Sequence, residues 1–179
     1  MTLRRTLWAA IILCALSLGA QANVSHPKAQ EKAAKPALSL EEAALLRAEE
    51  AQAERVRKRD LEGYMKFYAH RDDLTLYDTE GTDAIIGWEA CRKYWAEQFS
   101  GLRSVNKLEL SKVRVHVVGD MGFVTATWTL EATTKDGDAM AQTGRLTDIW
   151  QKIEGKWLIV HEHSSLPFGN GGNLNVGKR

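Results

Sequence analysis

Four extended stretches, near residues 103–118, 121–134, 139–153 and 156–165, fill the C-terminal half of the chain. They are separated only by Gly119-Asp120, Asp136-Gly137 and Glu154-Gly155. Short joints of Gly with an acidic residue supply the backbone conformations that tight hairpins need, so neighbouring strands must run antiparallel, side by side. A meander of four long strands is predicted. In the second stretch Val124, Ala126, Trp128 and Leu130 alternate with Thr125, Thr127, Thr129 and Glu131, the period-two pattern of a sheet with one buried face. The last stretch differs. Trp157, Ile159, His161, His163 and Ser165 share one face, and Leu158, Val160, Glu162 and Ser164 share the other. Both faces begin apolar, which predicts cover on both sides. Helices can cover one; a second copy of the chain covers the other, so a homodimer through the sheet is expected.

The helices precede the strands. Ser39-x-x-Glu42 is a capping box, and the run that follows is rich in strong helix formers up to Asp60. Leu45, Ala48, Gln52 and Val56 lie near one stripe of it. Leu61, Tyr64, Met65 and Tyr68 have the i, i+3, i+4, i+7 spacing of a second, short helix. Residues 74–78 and 84–86 read as short strands, and Gly87 separates them from a third helix over 88–99 with Trp88, Cys91, Trp95 and Phe99 on its apolar face. Helices followed by a long antiparallel meander make a single α+β domain over residues 39–167. A curved sheet wrapped on three helices forms a cone with a cavity at its open end, the kind of concave site that takes a small molecule.

The ends read differently. Arg4 and Arg5 precede an apolar run over 7–18, and Ala20-Gln21-Ala22 is a small-x-small cleavage site. Residues 1–22 therefore read as an export signal, with a periplasmic or secreted destination and no membrane attachment after cleavage. Residues 23–38 mix Pro, Lys, Ala and Gln as a flexible linker, and 168–179 form a Gly- and Asn-rich tail. Cleavage removes Cys14 and leaves Cys91 alone, so no intrachain disulfide or cysteine-rich metal knot is expected. A net charge of +1 over 179 residues argues against a nucleic-acid partner.

Several motifs together resemble the SnoaL-like and ketosteroid isomerase-like superfamily, which has the cone fold of nuclear transport factor two. They are Asp60-Leu61-Glu62, residues 74–78 (LTLYD), Gly87, Arg145-x-Thr147-Asp148-x-Trp150, Gly155-Lys156-Trp157 and Val160-His161-x-His163-Ser164-Ser165-x-Pro167. The resemblance spans roughly residues 39–167. The C-terminal motif is also similar to the association domain of calcium/calmodulin-dependent protein kinase and to iota-class carbonic anhydrases. This fold carries isomerases, hydratases, binding modules and assembly hubs alike, so the residues must decide the function.

The resemblance places Asp78 where steroid isomerases carry a general base, which implies an isomerase or hydratase. It implies carbonic anhydrase chemistry, CO₂ hydration, for His163 and Ser165. Near the positions of the steroid isomerase oxyanion donors stand Gln52 and Gly144 or Arg145. From the residues themselves, Arg145 and Thr147 share one strand face and could engage an anionic ligand. Tyr77 and Trp88 are candidate groups at a cavity mouth. His161 and His163, two apart on a strand, point the same way and could hold a zinc ion if His116, Glu131 or another strand supplied a third ligand; no H-E-x-x-H or cysteine ligand set supports it, and no cofactor is expected. The expected function is binding of a small molecule in the cavity, with Asp78, His163 and Ser165 as candidate catalytic residues and Tyr77, Trp88, Arg145, Thr147 and His161 as candidate ligand contacts.

Overall fold

The structure is a computed structural model that describes residues 37–79 and 81–167. The export signal, most of the linker and the tail lie outside the described residues. The elements run α1 (Leu40–Arg57), α2 (Leu61–Met65), β1 (Thr75–Tyr77), β2 (Ile85–Ile86), α3 (Trp88–Gly101), β3 (Leu102–Val118), β4 (Met121–Thr134), β5 (Ala139–Ile153) and β6 (Lys156–Ser165). At the N-terminus of α1 the Ser39 side chain accepts from the Glu42 amide while the Glu42 carboxylate accepts from the Ser39 amide. That exchange satisfies two donors no helix can pair internally. Asp60 ends the run and caps α2 through the Gly63 amide. The second helix is shorter than its periodicity suggests, and Tyr68 lies beyond it with its backbone turned toward Ile159.

The four long strands form the predicted meander, β3 to β6 in order, as part of a six-stranded sheet. β1 extends the sheet by pairing parallel to β6, and β2 pairs antiparallel to β1 at the edge. The sheet is therefore mixed, which hairpin signals alone did not predict. It curves around the helices without closing. Leu45 of α1, Tyr64 and Met65 of α2, Cys91 and Phe99 of α3, and Val124, Trp150, Trp157 and Ile159 of the sheet make one buried core.

Bulges in β3 and β6 set which residues face that core. In β3 an extra residue lies between Ser111 and Arg114, where Lys112 has φ of 53°. Leu108 and Leu110 face the helices before it; Val113, Val115 and Val117 do so after it. In β6 the ladder skips Val160: Ile159 pairs with Trp150, and His161 with Ile149. An extra residue bends a strand and inverts its alternation. Trp157 and Ile159 point inward before this bulge; Glu162 and Ser164 point inward after it, while His163 is exposed.

Candidate functional site

The bulge at Val160 decides what the cone contains. On its inner side one cross-strand row runs Val124, Asp148, Glu162 and Leu76 across β4, β5, β6 and β1. All four are buried, so two carboxyl groups stand directly opposite each other inside the sheet's apolar face. Glu49 reaches the same region from α1, where it sits one turn after Leu45 on the buried stripe. Asp78, immediately after β1, completes the set of acids lining a cavity of about 190 Å³. Tyr64, Trp95 and Phe99 line the same cavity, packed on one another with ring centroids 5.1 to 6.4 Å apart. Trp128 of β4, aliphatic side chains from α1, β3, β4 and β5, and the polar Gln52, Thr79, Gln98, Gln142 and Ser164 complete the lining. Gly144 shapes that lining. A Cβ there would lie 2.3 Å from the Trp128 ring, so only glycine lets the indole lie flat across β5.

The acids are unevenly partnered. The Tyr68 hydroxyl donates to Glu162, and the Tyr64 and Tyr68 hydroxyls are hydrogen-bonded at 2.8 Å. Gln52 Nε2 donates to the Tyr68 oxygen at 3.4 Å. Asp78 accepts from the Tyr94 hydroxyl. Asp148 is fully buried, and neither of its carboxyl oxygens has a hydrogen bond of ordinary geometry; Glu49 Oε2 is in the same position. The buried indole N–H groups of Trp95 and Trp128 also lack an acceptor.

Burial sets the proton affinities. Loss of water pushes Glu49 up to about 7, partly opposed by interactions with Asp148 and Trp150. It pushes Glu162 up to about 8, opposed by the Tyr68 hydrogen bond and reinforced by the charges of Asp78 and Glu49. Asp148 is held well above the usual carboxylate range by burial and then by the Glu49 and Glu162 charges. Like charges side by side in a medium of low polarity cannot all ionise, so the cluster shares protons near neutral pH. The Tyr64 and Tyr68 phenols are raised well above their ordinary value, first by burial and then by Glu162, and stay protonated donors.

The candidate residues read from the sequence fall into two places. Asp78 lines the cavity. His163, Ser165, Arg145 and Thr147 occupy the opposite face of the sheet, in the register Ser165–Arg145 and His163–Thr147. Tyr77 joins them, its ring 6.1 Å from that of His161 and 6.0 Å from that of His163. Burial and the neighbouring His163 lower the His161 proton affinity. The structure therefore does not bring His163 and Ser165 together with Asp78: the inward pair of the last strand is Glu162 and Ser164. Trp88 stacks on His70 at 4.3 Å, away from the cavity lining. Among the described residues no three histidine, cysteine or carboxyl side chains converge to hold a metal ion. Cys91 is buried, its thiol raised to about 11 by loss of water and by Glu162.

Sequence reasoning passed over Glu49, Asp148, Glu162, Tyr64 and Tyr68 as a set. The signal was present in part. Asp148 shares a strand phase with Leu146 and Trp150, and Glu49 shares a helix stripe with Leu45 and Gln52; in each case a carboxyl stands where the pattern calls for an apolar residue.

Residues 46–169 match the SnoaL-like domain family. The chain belongs to that family. A solved structure of a nuclear transport factor 2-like superfamily protein from Salmonella enterica is 21% identical, with a TM-score of 0.65 over 76% of this chain and 96% of its own. A ketosteroid isomerase-like protein from Erwinia carotovora is 20% identical, with a TM-score of 0.62 over 72% and 98%. The association domain of calcium/calmodulin-dependent protein kinase II from Caenorhabditis elegans is 23% identical, with a TM-score of 0.57 over 70% and 95%. These similarities establish the cone fold of the SnoaL-like domain. A search of curated proteins finds no match to the chain. No helix among the described residues is long and apolar enough to cross a membrane.

Proposed function

We propose that this SnoaL-like domain binds a small molecule in the cone cavity, with its apolar part against Tyr64, Trp95, Phe99 and Trp128 and a polar group at the carboxyl cluster. The observation that carries this reading is Asp148, fully buried at the cavity wall, where its carboxyl meets the neighbouring acid Glu49 but no N–H or hydroxyl donor of ordinary geometry. A buried polar group without a partner costs about 1–3 kcal/mol, a cost that a bound molecule removes. Turnover by proton transfer, as an isomerase or hydratase would perform, is the second reading. It is favoured by Asp78, which faces the cavity with the Tyr94 hydroxyl to steady its carboxylate. Carbonic anhydrase chemistry on His163 and Ser165 has weaker support, because those side chains lie outside the cavity.

The exported, homodimeric form belongs to the same proposal. Export rests on residues 1–22. Dimerisation rests on the outer sheet face, where Met121, Phe123 and Tyr77 remain exposed, and on the likeness to an association domain. The cavity reading is tested by calorimetric titration of the full chain with 2-phenylethanol, a neutral probe of suitable size. Binding is expected, and Gln142→Trp, which places an indole into the cavity, is expected to weaken it at least tenfold. Equal binding by both proteins would place the probe elsewhere and overturn the reading.

A further inference from the structure

Among the described residues lining the cavity there are Glu49, Asp78, Asp148 and Glu162, and there is no lysine, arginine or histidine. A buried carboxyl usually brings its own cation, as an ion pair across the core. Here the protein supplies none, and no N–H or hydroxyl of the described residues donates to Asp148, whose carboxyl meets that of Glu49. Tyr64, Trp95 and Phe99 line the same cavity, and electron-rich rings attract cations. Both halves of the lining thus favour the same kind of molecule: positive at one end, aromatic or apolar along its body. A metal ion does not fit, since no three ligating side chains converge among the described residues. The unpaired indole N–H groups of Trp95 and Trp128 leave room for an oxygen acceptor on the body of the molecule.

We infer that the cavity is selective for an organic cation, a small aromatic or apolar amine whose ammonium group pairs with Asp148 and the acids around it. The inference rests on the small-molecule reading above and specifies the chemistry of its ligand. Before binding, Glu49, Asp148 and Glu162 share protons; on binding, one of these carboxyls releases its proton to solvent and takes the ammonium as its partner. Anionic ligands are excluded, because they would meet carboxyl oxygens with no cation to balance them.

Three probes with a common phenyl body separate the possibilities: 2-phenylethylamine, 2-phenylethanol and phenylacetate, each titrated by calorimetry into the full chain. The amine is expected to bind at least ~10-fold more tightly than the alcohol, the scale of one charge-assisted hydrogen bond, and phenylacetate is expected not to bind. In Asp148→Asn the amine-to-alcohol ratio is expected to fall below about threefold, since the neutral amide offers no charge for the ammonium. If the native protein binds the alcohol as tightly as the amine, or prefers phenylacetate, selectivity for cations is overturned while the cavity reading stands. If none of the three binds, both fall together.

Discussion

Asp148 and Glu162 face each other across β5 and β6 on the inner side of the sheet, both buried. Directly opposed side chains on an antiparallel pair stand about 4.5–5.5 Å apart at Cβ, close enough that two negative charges there would destabilise the sheet. The pair is compatible with a folded protein because protons remain on it, and this gives the stability a pH dependence.

Glu49 and Glu162 bind protons more tightly in the folded chain, at about 7 and about 8, than the exposed carboxyl value of 4.5. A carboxyl raised by folding contributes stability that is present below its unfolded value and lost as pH rises through the folded one. The groups that face the pair, Asp78, Tyr64, Tyr68 and Cys91, do not reverse this direction. The melting temperature is expected to fall by at least ~3 °C between about pH 5 and about pH 8.5, the change that about 1 kcal/mol makes in a domain of this size. Glu162→Gln should flatten that slope. Thermal unfolding followed by circular dichroism at several pH values checks both; a melting temperature that rises across the interval would contradict the shared protons.

Tyr68 links Glu162 to Tyr64 and Gln52 through one hydroxyl. Tyr68→Phe keeps the ring and removes that oxygen, leaving Glu162 and Gln52 each short of a partner. A loss of about 1–3 kcal/mol is expected in urea unfolding. Tyr77→Phe, at an exposed position on the outer face, should change the midpoint much less.

Gly144 gives the cavity its depth by letting Trp128 lie against the strand. In Gly144→Val the indole must swing away from β5, and overpacking of this kind costs about 1–3 kcal/mol. The variant is expected to lose both stability and 2-phenylethanol binding. Retained binding at native strength would show that the Trp128 position does not limit the cavity.

Phe123 is 42% exposed on the outer face, two rows from His163 and Thr147. If that face joins two copies, Phe123→Glu introduces a desolvated charge on each side of the interface, and light scattering at micromolar concentration should show a dimer for the native chain and a monomer for the variant. A native monomer would remove the dimer from the proposal.

The long strands could be read from sequence because their ends carry a local code: Gly119, Gly137 and Gly155 each adopt a positive φ at a hairpin. The capping box at Ser39 and Glu42 was equally local. What could not be read was set by distant partners. Nothing in the residues around Val160 announces a bulge, yet that one skipped pairing sends Glu162 and Ser164 into the cone and leaves His161 and His163 outside. The parallel pairing of β1 with β6 joins segments far apart in the chain and has no turn to signal it. Glu49 lies in a helix full of glutamates, most of them solvated, and only the packing against β5 distinguishes it.

The parallel ladder between β1 and β6 also joins segments made far apart in time. During synthesis Glu49 leaves the ribosome long before Asp148, and Glu162 emerges last. Until β6 inserts between β5 and β1, each carboxyl can remain hydrated and ionised. In the folded chain β6 lies between β5 and β1, and its Glu162 joins Asp148 in one buried row. The last strand to be made is also the one that converts three ordinary acidic residues into an interior acid.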